Sequence, residues 1–210
     1  MTGEAFIKEL DNGKYPYEIE GDKIVVTYRG DVDLESLTSL PPGVEFKNGG
    51  GVDLSALTSL PPGVVFNNEG NVYLDSLASI PPGVEFKNGG GVDLDSLTSL
   101  PPGVEFNNEG NVYLNSLTSI SPEVVFNNEG GVFLKSLKSL PPDIGFNNSG
   151  DVTLDSLTSL SPGVVFDNGG DIYLRSLVGR WFNFWKGNIE GIDPNRLLNK
   201  MISIGLFDRR

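Results

Sequence analysis

The chain has 210 residues, 38% hydrophobic and 20% charged, and its 15 Lys and Arg against 28 Asp and Glu give a net charge of −13. It contains neither Cys nor His, which excludes a disulfide framework, a thiolate nucleophile, cysteine or histidine metal centres, and any Ser-His-Asp triad or imidazole base. The acidic balance also argues against direct nucleic-acid binding, because phosphates are neutralised by clustered Lys and Arg.

At the N-terminus, Met1 to Leu10 is mixed polar and carries Glu4, Lys8 and Glu9, so it lacks the apolar run of a signal peptide. No apolar stretch approaches the ~18 residues that a transmembrane helix needs. A soluble, cytoplasmic protein without membrane contact is the expectation. Residues 1–30 are expected to form an N-terminal cap. Phe6, Ile7 and Leu10 place an apolar stripe on a short helix that Asn12-Gly13 would end. Tyr15 to Tyr28 then reads as a hairpin turning at Gly21-Asp22, with Ile24 and Val26 in phase with the first coil.

From Asp31 to Gly170 the chain repeats every 20 residues, seven times without an insertion, and a half-copy runs from Asp171 to Leu177. Six columns stay apolar throughout, represented by Val32, Leu34, Leu37, Leu40, Val44 and Phe46 in the first copy. Val-x-Leu and Val-x-Phe have the period of short strands, whereas Leu-x-x-Leu-x-x-Leu needs a turn between its members. Pro41-Pro42 and the Gly50 column mark further corners and oppose a continuous helix. Too short for a two-helix unit, the repeat fits one turn of a parallel β-solenoid.

Fold class is therefore expected to be all-β: a parallel, right-handed β-solenoid of seven to eight coils over residues 31–177. A helix-containing cap is expected at each end, over 1–30 and 178–210. The Phe46 column should stack as an internal aromatic ladder, and the Asn48 column should form a ladder in which each amide bonds its equivalent one coil away. The Ser36 and Ser39 columns are expected to satisfy backbone groups at corners. Asn48-Gly49-Gly50-Gly51 reads as a corner needing positive φ rather than a phosphate loop, since no Lys-Ser/Thr or helix comes after it.

The LTSLPPGVEF segment with its 20-residue period resembles bacterial short leucine-rich repeats, although Leu37 and its equivalents stand where those repeats carry Asn. Pentapeptide-repeat proteins also use 20-residue coils, but their quintets are absent. The chain is similar as well to uncharacterised repeat proteins of gut bacteria and their phages. The leucine-rich resemblance implies a horseshoe as the alternative fold, and none of these resemblances implies a particular activity.

The C-terminal cap begins where Arg180 replaces an apolar column and Trp181-Phe182 replaces Pro-Pro. Trp181 and Trp185 form its aromatic cluster, and Asp193-Pro194 opens a helix with Leu197, Leu198, Met201 and Ile202 on one face. Residues 175–210 carry seven basic and three acidic side chains, so the negative charge lies on the coils.

Constant coil length leaves no inserted loop to build a pocket, so no catalytic residue, metal site or cofactor is expected. A Thr column (Thr38, Thr58, Thr98, Thr118, Thr158) is broken by Ala78 and Lys138, which weighs against an ice-binding face. The informative outward column reads Asp33, Asp53, Tyr73, Asp93, Tyr113, Phe133, Thr153, Tyr173. Its exposed aromatics would mark an interface, or else would stack to stabilise the sheet. Tyr73, Asp93, Tyr113, Phe133 and Tyr173 are the candidate binding residues.

The expected function is a non-enzymatic scaffold that binds a protein partner through this acidic and aromatic face. That partner could be basic or nucleic-acid-binding. One alternative, implied by the pentapeptide-repeat resemblance, is a nucleic-acid mimic that inhibits a host-defence or topoisomerase-type protein. The other is a structural or virion module that self-associates through its caps.

Overall fold

The computed structural model describes residues 1–177; the expected C-terminal cap over 178–210, with Trp181, Trp185 and the helix from Asp193, lies outside the described residues. Helix α1 (Gly3–Gly13) begins where the Thr2 side chain accepts a hydrogen bond from the Ala5 amide, with Glu4 in the first turn. Its apolar stripe buries Phe6 and Leu10 completely over the end of the core. The helix ends one residue later than expected: Gly13 is still helical, and Lys14 takes the left-handed cap at φ 58. Gly13 serves space instead, because a Cβ there would lie 2.3 Å from the Tyr15 ring.

Strands β1 (Tyr17–Glu20) and β2 (Lys23–Val26) form the expected antiparallel hairpin, with Gly21-Asp22 as its two-residue turn and Gly21 at φ 62. Strand β2 pairs in parallel with Val44–Phe46, setting Ile24 beside Val44 and Val26 beside Phe46. Tyr15 closes the neighbouring ladder. Its hydroxyl is placed to donate to the Asp33 carbonyl and to accept from the Asp33 amide, both at 3.1 Å. One phenol thus occupies the backbone groups that a further strand would otherwise pair.

Beyond the cap the chain is a parallel β-solenoid of about eight turns. One ladder holds eight two-residue strands from Val32–Asp33 to Ile172–Tyr173; the other runs from β1 and β2 through Val44–Phe46 to Val165–Phe166. Registers advance by one repeat, as in Val32 opposite Val52 and Phe46 opposite Phe66. A short third ladder pairs Ser99–Leu100 with Ser119–Ile120. No helix interrupts residues 31–174, so the horseshoe alternative is not the fold adopted.

The Leu-x-x-Leu corner is closed by the backbone, with the Leu37 amide donating to Leu34 O at 2.9 Å. The Ser36 and Ser39 columns make no side-chain hydrogen bond among the described residues, contrary to expectation. Their side chains sit mostly exposed.

Glycine is needed at two columns for two reasons. Positive φ falls just after the Pro-Pro or Ser-Pro step, where Gly43, Gly63, Gly83, Gly103 and Gly163 lie at φ 72–77, and not at the Asn-Gly-Gly-Gly corner. In that corner glycine permits contact between coils, since a Cβ on Gly70 would lie 2.4 Å from the Gly51 amide nitrogen. Asp143 occupies the positive-φ column at φ 60. Asp143→Gly is therefore expected to stabilise the fold by about 0.5 kcal/mol, the relieved left-handed strain outweighing glycine's entropy. A higher urea midpoint at unchanged m-value checks this.

Phe46, Phe66, Phe86, Phe106, Phe126, Phe146 and Phe166 stack as expected, with ring centroids 5.2–5.5 Å apart and planes within 3–8°. The buried Asn column departs from its expected pattern. Asn48 Nδ2 faces three carbonyls, Gly30 O in the preceding turn at 3.0 Å and Gly50 O and Gly51 O in its own at 2.9 Å. Asn108 likewise donates to Gly90 O and Gly110 O, both at 2.9 Å. These amides stitch backbone to backbone across the corner because the glycine carbonyls turn inward within reach. The amide-to-amide ladder forms one column outward instead, from Asn147 to Asn127 and from Asn127 to Asn107, each at 3.3 Å.

Candidate interaction face

The candidate residues lie on the outer face of the eight-stranded ladder, because each comes after an inward Val or Ile and before an inward Leu. Parallel register places Asp53 against Tyr73, Tyr73 against Asp93, Asp93 against Tyr113, and Tyr113 against Phe133. Tyr73 is 39% exposed. Asp93, Tyr113, Phe133 and Tyr173 are half-buried, and Thr153 is buried.

Neighbouring coils do this covering. Tyr113 and Phe133 stack with centroids 5.0 Å apart and planes 13° apart, and Lys135 Nζ sits 5.9 Å from the Phe133 centroid. Cross-coil stacking and outward display thus coexist in one column: the stack rigidifies the rings and leaves Tyr73 proud of the surface. Thr153 and its partner Tyr173 continue the ladder beyond the stack.

The carboxylates have local work as well. Asp53 Oδ1 accepts from the Ser55 amide at 2.9 Å and Asp93 Oδ1 from the Asp95 amide at 3.1 Å, so both close Asx turns. Burial pushes the Asp93 carboxyl above its ordinary range; the Asp95 amide opposes this, and the carboxylates of Asp75 and Asp95 add to it. Folded Asp93 therefore holds its proton to higher pH than the unfolded chain does. Its contribution to stability falls as pH rises from the unfolded value through the folded one. Asp151 is the main cause of a raised Tyr173 phenol, with burial and Asp171 adding and Arg175 opposing.

Ion pairs are elsewhere. Among the described residues they join Lys23 and Lys47 to Glu45, Lys87 to Glu85 and Arg175 to Asp155. Asp53, Asp75, Asp93 and Asp95 have no Lys or Arg partner there. Two positions further along each coil, Asp75 accepts from the Ser55 hydroxyl at 3.0 Å and Asp95 from Asn115 Nδ2 at 2.8 Å, while Asp155 takes the Arg175 ion pair.

A shallow groove of about 680 Å³ adjoins Tyr73, walled by Asp31, Asp33, Asp53 and Glu69. Its floor is the glycine corner, including Gly50, Gly70 and Gly90, which presents backbone alone. The groove exists because those columns admit no side chain.

An alternation spanning two coils is superimposed on the 20-residue period. Gly51-Val52-Asp53 and Gly91-Val92-Asp93 alternate with Asn71-Val72-Tyr73 and Asn111-Val112-Tyr113. Asn71 Oδ1 accepts from the Gly91 amide at 2.7 Å while its Nδ2 reaches the Tyr73 hydroxyl at 2.9 Å. Asn111 repeats this toward Gly131 at 2.7 Å and Tyr113 at 2.9 Å. Asn71 and Asn111 thereby orient the two tyrosines. Outward-column reasoning missed them because it compared coils singly; the signal was legible as co-occurrence of Asn and Tyr two positions apart.

No family model, curated protein or solved structure matches the chain. The face must be read from its own chemistry. Among the described residues no group of three or more Asp or Glu is placed to hold a metal ion, and no helix is long and apolar enough to cross a membrane.

Proposed function

We propose that this protein is a non-enzymatic, rigid scaffold whose acidic and aromatic solenoid face binds a basic protein partner. The observation that carries this reading is the pairing of Tyr73 and the Tyr113–Phe133 stack with four carboxylates that have no cationic partner among the described residues. Aromatic anchors held by neighbours lose little side-chain freedom on binding, and unpaired carboxylates favour a cationic partner. A gap-free solenoid supplies the rigidity.

Short leucine-rich or phage-type repeat proteins remain the resemblance we favour for the repeat itself. In this reading the protein works in the cytoplasm, of a bacterial host if phage-encoded, where a Cys-free chain is indifferent to reduction.

The test is capture from bacterial lysate by the full chain and by Tyr113→Ser, at low and high salt. A protein held by the wild type and lost by at least about tenfold in Tyr113→Ser supports the scaffold, since anchor truncation commonly costs that much. Equal capture by both overturns it. The unpaired carboxylates also favour a second reading, a nucleic-acid mimic. That version requires a nucleic-acid-binding partner, competition by DNA and loss at high salt. The structural-module reading requires self-association visible in light scattering, which truncation after Leu177 removes.

A further inference from the structure

Two coils span about 9.6 Å at the usual strand separation. Carboxylates at Asp53 and Asp93 are two coils apart, as are the phenols of Tyr73 and Tyr113. A polyproline II segment running along the solenoid axis advances ~9.3 Å in three residues, one full turn, so every third side chain returns to the same face, whereas a strand would turn alternate ones away. Two-residue spacing would cover only ~6.4 Å and four-residue spacing ~12.8 Å, neither of which keeps step with the coils. Only a period of three matches the alternation.

We infer that this face docks an extended basic segment of a partner protein, with a guanidinium at every third residue seated over Asp53 and Asp93 against the rings of Tyr73 and Tyr113. The assignment rests on the scaffold reading and names its occupant. Arginine suits the site better than lysine because its planar head can accept a carboxylate along one edge while lying on an aromatic face. The rings are pre-set by Asn71 and Asn111, each Nδ2 at 2.9 Å from its tyrosine hydroxyl. Asp75 and Asp95 flank the row and reinforce its negative potential. The glycine floor beside Tyr73 lets the segment approach the backbone without meeting a side chain.

Two acetylated, amidated peptides of identical composition, three arginines and six prolines, provide the probe. One carries arginine at every third position; the other carries the three arginines contiguously. Titration calorimetry with the full chain at low salt is expected to show the spaced peptide binding at least about fivefold more tightly, the size of one or two exposed cation–π and ion pairs. Tyr73→Ser and Asp93→Asn should each erode that preference while circular dichroism stays unchanged. The spaced peptide should also lower the Asp93 pKa seen by NMR, a shift that a purely structural carboxylate would not show. Equal affinities, no binding, or a preference that survives both substitutions overturns the assignment. If it is overturned while Tyr113→Ser still abolishes partner capture, the scaffold reading stands without this occupant. If the peptide preference holds and capture is unaffected by Tyr113→Ser, the scaffold reading fails separately.

Discussion

Phe106→Ala is expected to destabilise the solenoid by about 3–5 kcal/mol, a large fraction of the ~5–15 kcal/mol typical of a whole domain. Phe106 is fully buried at mid-stack, with centroids 5.2 Å from Phe86 and 5.3 Å from Phe126. Truncation removes contacts on both faces at once and opens a cavity that neighbouring rings cannot fill, because each is locked in register by its own strand. In a solenoid each coil touches only its neighbours, so a weakened central interface can also separate the two halves. Guanidinium unfolding should therefore show a lower midpoint and, where the halves decouple, a broader transition with a smaller m-value. A loss below about 1 kcal/mol would mean that the ring stack is not the core's main support.

Asn108→Asp should cost a comparable amount, about 3–5 kcal/mol at neutral pH, through charge rather than volume. Asn108 is fully buried, and its Nδ2 donates to Gly90 O and Gly110 O. A carboxylate in its place sets negative oxygen against inward-turned carbonyls in a site closed to water. Such a carboxyl titrates above its unfolded value of ~3.9, so the folded chain retains a proton that the unfolded chain has lost. The destabilisation is then small below that value, grows as pH rises and is complete above the folded pKa. Asn108→Ala removes the same donor without adding charge and should cost about 2 kcal/mol with no such pH dependence. Urea midpoints of both variants between acid and neutral pH distinguish them. A flat profile for Asn108→Asp would refute the inward carbonyl geometry.

Much of this architecture was legible because the chain states it seven times. Apolar residues two apart in Val32-x-Leu34 and Val44-x-Phe46 read directly as strands, and Gly21-Asp22 between alternating residues read as a hairpin turn. Corner chemistry was less legible. Asn48 and the outward Asn107 column share a residue type and adjoining positions, yet one bonds backbone carbonyls and the other its own kind. Sequence spacing cannot say which carbonyls turn inward. Likewise, Gly43 and Gly70 look interchangeable as letters, while one answers to a backbone torsion and the other to the approach of the coil beside it.

The candidate face divides along the same line. That Asp93, Tyr113 and Phe133 point outward was implied by their inward Val and Leu neighbours, a matter of strand period alone. That Tyr113 lies on Phe133 while Tyr73 stays exposed between two aspartates depended on what the next coil brings into register. By itself the sequence determined the coil length, the inward columns and the N-terminal cap, because each reflects a local period or a local turn signal along the chain. Only the tertiary structure decided which side chains serve as donors, spacers or displayed anchors, because those roles arise between coils, where residues 20 positions apart meet.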